Sequence, residues 1–205
     1  MRILLLGATG RVGSEILKLA VADKHDITVL VRAKEKLDVQ NDIKIVEGNV
    51  LDQEVLVQAA KGADVVVSAL GTDKTTTLSE STPKVIQVMK ANGIKRIITV
   101  GTAGILTSRT QPPLYRYESS ESRLKTTRAA KEHRKMYETL SESNLDWTIV
   151  CPTYLPDGPA KGNYRVNEDV LPENGREISV GDTAQFVYQE LQVCNHLYKR
   201  VGIAY

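Results

Sequence analysis

The chain has 205 residues, 41% of them hydrophobic and 25% charged, with a formal net charge of +2. That length suits one domain, or one with a small appendage, and the near-neutral balance argues against a general nucleic-acid or membrane-surface binder. The two cysteines, Cys151 and Cys194, have no ligand spacing, which fits a reducing cytoplasm and argues against a metal site. No apolar run approaches a membrane span. The start, Met1 to Leu6, could open a secretory signal, but it is too short and Arg11, Glu15 and Lys18 follow at once.

Ile3-Leu4-Leu5-Leu6 predicts a buried first strand, and Ile16, Leu17 and Ala20 predict an amphipathic first helix. Between them lies Gly7-Ala8-Thr9-Gly10-Arg11-Val12-Gly13, read as a tight glycine turn into the helix. A helix N-terminus has free N–H groups and a partial positive charge, and glycines let a pyrophosphate come close, so this stretch predicts a dinucleotide site. The spacing is G-x-x-G-x-x-G rather than G-x-G-x-x-G, and the reading rests on the strand before and the helix after. Residues 27–31 read as a second strand, and 43–46 as a third, nearer an edge. Asp52 is the expected N-cap of a helix through Val55, Leu56 and Ala59, closed by Gly62. Residues 64–70 form an apolar fourth strand. Thr82-Pro83 starts or continues a helix through Val85, Ile86 and Met89, stopped by Gly93. A fifth strand covers 96–100, a helix about 127–142, and a sixth strand 147–151, ended by Pro152. Ser179 with Asp182 resembles a capping box for a last helix through Ala184, Val187, Tyr188 and Leu191, and 201–204 offers a short seventh strand.

This alternation predicts a single α/β unit over 1–205, a Rossmann-type doubly wound parallel sheet of strand order 3-2-1-4-5-6. Right-handed crossovers put every strand's C-terminal end on one edge, where ligands bind. The functional candidates are therefore Gly7 to Gly13, Arg32, Asn49, Leu70 to Thr72, Thr102 and Pro152 to Tyr154. Residues 107–127 form a long polar stretch on that edge, with Arg109, Arg116, Arg123 and Lys125. Two readings stay open for it: a lid whose cations meet an acidic substrate, or a solvated, partly disordered loop.

At the end of the second strand an NAD site usually places Asp or Glu on the ribose 2′-hydroxyl. Here Arg32 stands there, followed by Ala33, Lys34, Glu35 and Lys36. A guanidinium suits a 2′-phosphate, so NADP is expected over NAD, the alternative being Arg32 stacked on adenine or left in solvent. His25, just before the second strand, reads as a surface turn residue rather than a ligand, and His196 near the terminus has no visible partner. None of the eight tyrosines has Lys four residues on, so the Tyr-x-x-x-Lys pair of ordinary short-chain alcohol–ketone chemistry is missing. His133, Met136, Tyr137 and Leu140 share one helical face, which points His133 to the buried side, as a satisfied core histidine or as a pocket group.

Taken together, Gly7-Ala8-Thr9-Gly10, Val31-Arg32, Leu70-Gly71-Thr72 and Asp146-Trp147-Thr148-Ile149-Val150-Cys151-Pro152 resemble the NmrA-like NAD(P)-binding group of atypical short-chain dehydrogenase/reductases, nearest the biliverdin reductase B or NADPH-flavin reductase family. The likeness continues through Glu132-His133 and Ile178-Ser179 with Asp182. It implies that Gly7, Thr9, Gly10, Arg11, Val12 and Gly13 meet the pyrophosphate and that Arg32 and Lys36 meet the 2′-phosphate. Asn49 and Val50 would flank the adenine; the family often has Asp where Asn49 stands. Leu70, Gly71 and Thr72, with Thr102 and Pro152, would line the ribose and nicotinamide side. As catalytic candidates it gives Thr102, at the position of the family's active-site serine, His133, and Tyr154, which replaces a second histidine.

The implied activity is NADPH-dependent hydride transfer to FMN, riboflavin or a similar planar acceptor such as biliverdin, with the flavin a substrate rather than a resident cofactor. Such an acceptor needs little from the protein beyond stacking of two rings, which suits the missing tyrosine. The alternative is a non-enzymatic NADP(H)-binding redox sensor with a protein partner on the 107–127 loop. A sugar-nucleotide epimerase is disfavoured by the same missing tyrosine.

Overall fold

The computed structural model describes residues 1–38, 42–72, 74–122 and 126–205. Eight strands form one sheet: β1 (Arg2–Leu6), β2 (Asp26–Val31), β3 (Ile43–Glu47), β4 (Val65–Ser68), β5 (Arg96–Val100), β6 (Asp146–Pro152), β7 (Arg165–Glu168) and β8 (Lys199–Ala204). Their order is β3-β2-β1-β4-β5-β6-β8-β7, parallel throughout except for β7, which runs antiparallel to β8. The expected 3-2-1-4-5-6 order stands. The short seventh strand is longer than its sequence signal and pairs with β6 from Thr148↔Lys199 to Pro152↔Ile203. Beyond it lies β7, a polar four-residue strand without the apolar run of its neighbours.

Five helices cover the sheet: α1 (Arg11–Ala22), α2 (Gln53–Ala60), α3 (Thr77–Ala91), α4 (Arg128–Ser141) and α5 (Val180–Val193). Alternation along each strand sorts the core into two layers. Ile3, Leu5, Val65, Val67, Ile98 and Val150 face α1 and α5, through Ile16, Leu17, Ala184 and Val187. Leu4, Leu6, Val66, Ile97 and Ile149 face α2, α3 and α4, through Leu56, Leu78, Met89, Met136 and Leu140. Each such aliphatic side chain contributes about 1.5–3 kcal/mol on burial, which is why the central strands read as unbroken apolar runs.

Several local signals act as the sequence indicates. Asp52 caps α2, accepting from the N–H groups of Glu54 at 3.0 Å and Val55 at 3.4 Å. Ser179 caps α5 by accepting from Asp182 N at 3.0 Å. Others differ. The fourth strand ends at Ser68, leaving Leu70 in the loop above it. Pro152 is the last residue of β6 rather than its terminator. α3 begins at Thr77, so of the two readings of Thr82-Pro83 the second holds: the pair continues a helix rather than starting one. His196 has a partner after all: its Nδ1 is 2.9 Å from Oε2 of buried Glu190, whose Oε1 lies 3.2 Å from Arg96 Nη2.

The 107–127 segment is built in its described part, while Arg123 and Lys125 lie outside the described residues. Ser108 Oγ and Thr110 N donate to Glu121 at 2.6 and 2.8 Å, and Arg109 Nε donates to the Leu171 carbonyl at 2.7 Å. Arg116 Nε sits 3.4 Å from Glu121 Oε2. Arg200, buried on β8, anchors the start of the segment through Ile105 O at 2.6 Å and Thr107 Oγ1 at 3.1 Å. Its guanidinium lies 4.7 Å from the Tyr137 ring centroid and 5.6 Å from that of Tyr115. Arg109 and Arg116 are thus engaged with protein oxygens.

Candidate dinucleotide site

Two of the three glycines in the turn after β1 are demanded by the fold itself. Gly7 has φ +82°, and a Cβ there would stand 2.6 Å from the Ala69 carbonyl oxygen. At Gly13 a Cβ would stand 2.0 Å from Gly7 O, so helix and turn pack backbone to backbone. Gly10 is different. Its φ is −85°, open to any residue, and the nearest atom to an added Cβ is 3.3 Å away. A Cβ there would be tight against the Gly7 carbonyl but would need only a few tenths of an ångström of give, and Gly10 lines a cleft.

That cleft has a volume of about 490 Å³. Its walls follow the strand order across the C-terminal edge: Gly48, Asn49 and Val50 after β3, Leu30 to Ala33 and Lys36 at β2, Gly7, Thr9 and Gly10 after β1, then Ala69, Leu70 and Gly71 after β4. At the ordinary strand spacing of about 4.8 Å, β3 to β4 spans roughly 14 Å. Thr77, the first residue of α3, closes the far end.

The charge distribution suits an extended anion. Among the described residues no side chain caps α1, and its first turn has no acidic residue, so its positive end is left uncompensated next to Gly10, the N-cap residue that lines the cleft. The neighbouring helices are occupied: α2 by Asp52, α5 by Ser179, and α3 by Glu132 of α4, which lies 3.4 Å from Ser79 N and 2.7 Å from Ser79 Oγ. Arg32 and Lys36 are exposed at the β2 end. Asn49 Oδ1 accepts from Leu51 N at 3.0 Å, which turns its amide nitrogen away from that bond.

Of the residues expected at a cofactor, Gly7, Thr9, Gly10, Arg32, Lys36, Asn49, Val50, Leu70 and Gly71 line the cleft together. The remaining six, Arg11, Val12, Gly13, Thr72, Thr102 and Pro152, are not among its walls. Val12 is in the α1–α5 core layer, and Pro152 is buried in β6. Arg11 reaches the loop after β6 instead, with Nη1 2.9 Å from both the Leu155 carbonyl and Asp157 Oδ1. Leu30, Ala33, Gly48, Ala69 and Thr77 join the walls without having been singled out in the sequence. Most are chain neighbours of expected residues; Thr77 lay hidden in a threonine-rich run.

The three catalytic candidates occupy different surroundings. Thr102 follows β5 and is half-buried; its Oγ1 accepts from Gly104 N at 3.3 Å, which leaves its O–H free to donate. His133 is buried on α4, with no hydrogen-bond partner for Nδ1 among the described residues. Burial pushes its imidazole down to about 4, only partly opposed by the charge of Glu132, so the ring is neutral at pH 7. Tyr154, after β6, is 69% exposed. Thr102 and Tyr154 extend the ligand edge past β4, onto β5 and β6.

A family model described as NAD(P)H-binding matches residues 7–193. The uncharacterized protein YwnB of Bacillus subtilis is 29% identical over 213 residues, covering 99% of this chain and 98% of that one. Among solved structures, a Streptococcus pneumoniae protein provisionally called an NADH-flavin reductase superposes with TM-score 0.85 at 26% identity, covering 100% of this chain and 99% of that one. A Bacteroides thetaiotaomicron protein provisionally called an epimerase gives 0.86 at 30% identity, with 100% and 96% covered. The family match runs over most of the chain and includes the glycine turn and the cleft's walls from Gly7 to Thr77, and the chain belongs to the NAD(P)H-binding family.

Proposed function

We propose that this protein is an NADPH-dependent reductase that passes hydride to a flavin or a similar planar acceptor such as biliverdin. The observation that carries this reading is Arg32 and Lys36 at one end of a cleft whose middle is the Gly7–Gly10 turn that leads into the uncapped N-terminus of α1. The fit is good: Gly10 lets a pyrophosphate approach, α1 supplies N–H donors, and the two cations match a 2′-phosphate. When bound, the dinucleotide supplies the hydride. Leu70 and Gly71 then hold the nicotinamide end, leaving the β5–β6 side of the edge for the acceptor. Thr102 can donate its free O–H there, and exposed Tyr154 offers a ring for stacking. Neutral His133 is a weak acid, so the reduced acceptor takes its proton from solvent. The name of the S. pneumoniae protein supports the flavin class.

A second reading, a non-enzymatic NADP(H) sensor, is favoured by a separate observation: none of Thr102, His133 and Tyr154 lines the cleft. One experiment separates the two. NADPH oxidation is followed with FMN, riboflavin and biliverdin as acceptors and NADH as control. NADPH-specific turnover is expected; tight NADPH binding without turnover on any acceptor would establish the sensor, and preference for NADH would remove the role given to Arg32.

A further inference from the structure

Glu132 is a buried carboxylate that the proposed reaction does not use. It sits on α4 beside His133, yet its oxygens turn toward α3: Ser79 Oγ donates to Oε2 at 2.7 Å and Ser79 N at 3.4 Å, while Lys135 Nζ lies 3.1 Å from Oε1. Burial opposes ionisation, but these donors outweigh it and hold the carboxyl below its usual range. α3 has no side-chain cap at its own N-cap residue, Thr76. Position 79 is in the first turn of that helix, where N–H groups lack partners within the helix. Glu132 therefore caps α3 from another helix.

The capped turn leads directly to the cleft. Thr77 lines it. Thr77 N and Oγ1 contact Thr75 Oγ1 at 3.3 and 2.6 Å, and Thr75 Oγ1 and N donate to the Thr72 carbonyl at 3.0 and 2.7 Å. A hydrogen-bonded path thus runs from the Gly71–Thr72 rim through Thr75 and Thr77, and by way of the first turn of α3 to Ser79 and Glu132. We infer that Glu132 is a positioning residue for the dinucleotide: through Ser79 it sets where the α3 end of the cleft stands relative to α4. This rests on the cleft being the dinucleotide site. The N-cap residue Thr76 gives no side-chain bond and Thr75 serves only Thr77 N, so the Ser79 N–H in the first turn of α3 takes its acceptor from α4.

The test is NADPH affinity, read by titration of NADPH fluorescence, alongside Tm. Glu132→Ala is expected to weaken binding about tenfold, because the α3 end of the cleft is then no longer held in place before NADPH arrives. Glu132→Gln, which keeps an acceptor oxygen, should stay within about twofold. Ser79→Ala should weaken binding like Glu132→Ala, and the double variant should be no weaker than either. Ser143→Ala serves as the stability control; Ser143 accepts from Leu145 N at the other end of α4, so this variant lowers Tm without changing affinity. Wild-type affinity in Glu132→Ala, equal weakening in Glu132→Gln, or equal weakening in Ser143→Ala would each overturn the inference. Absence of NADPH binding by the wild-type protein would instead remove the dinucleotide reading, and this inference with it.

Discussion

Gly13 lies against the carbonyl oxygen of Gly7 so closely that a Cβ on residue 13 would stand 2.0 Å from it. Gly10, between them in sequence, meets the same oxygen at 3.3 Å from an added Cβ, a contact that a slight shift relieves. One motif therefore contains positions of two kinds, and substitution separates them. Gly13→Ala should destabilise the fold by about 3 kcal/mol or more, because two backbones must part. Gly10→Ala should cost under about 1 kcal/mol in stability while weakening NADPH binding at least about tenfold. Urea unfolding and NADPH titration of both variants check this.

Arg32 and Lys36 form the cationic end of the cleft. A hydrogen bond to a charged group contributes about 1.5–3 kcal/mol, or roughly 10- to 100-fold in affinity. Arg32→Ala and Lys36→Ala should each weaken NADPH binding within that range and leave NADH binding within about twofold. The expected signature is the change in the NADPH to NADH ratio, measured by paired titrations.

The neutral state of His133 makes stability depend on pH. Its folded value, about 4, lies below the unfolded value of about 6.5. The folded state thus binds fewer protons, so stability is full above pH 6.5 and falls as pH drops toward 4. The difference amounts to roughly 3 kcal/mol at most. His133→Asn should flatten the slope between pH 6.5 and 4 in urea unfolding curves. An unchanged slope would show that His133 is not the group responsible.

Arg200 holds the 107–118 segment through Ile105 O, Thr107 Oγ1 and Asp169 Oδ1, the last at 3.1 Å. Arg200→Met removes these bonds and the two ring contacts, leaving buried oxygens without donors. A loss of about 2–3 kcal/mol is expected, below the figure for a fully buried pair because Asp169 is partly exposed. Limited proteolysis should find new cleavage within 107–118.

Much of this molecule was legible in its sequence for physical reasons. The central strands are buried on both faces, so β1, β4, β5 and β6 appear as apolar runs; Asp52 and Ser179 mark helix starts because N–H groups there need an oxygen. The cleft follows from topology, since residues after β1, β2, β3 and β4 must meet on one edge. What was hidden depends on distant partners. β7 is polar and gains its place only from β8, and the first turn of α3 takes one of its acceptors from Glu132, 53 positions after Ser79. The start of the 107–122 stretch is likewise tied to Arg200 on β8, and Arg11 is drawn away by Asp157. Composition within each stretch holds none of that information.

The antiparallel pairing of β7 with β8 has one more effect. β8 is fully buried from Arg200 to Ala204, and alone it would present an open ladder of N–H and C=O groups to any other chain. β7 takes that ladder and presents in its place a four-residue rim, Arg165-Val166-Asn167-Glu168, with a charge at each end. A short, charged rim pairs poorly with a second molecule. The small strand that binds nothing in the cleft thus guards the sheet against growing into a neighbour.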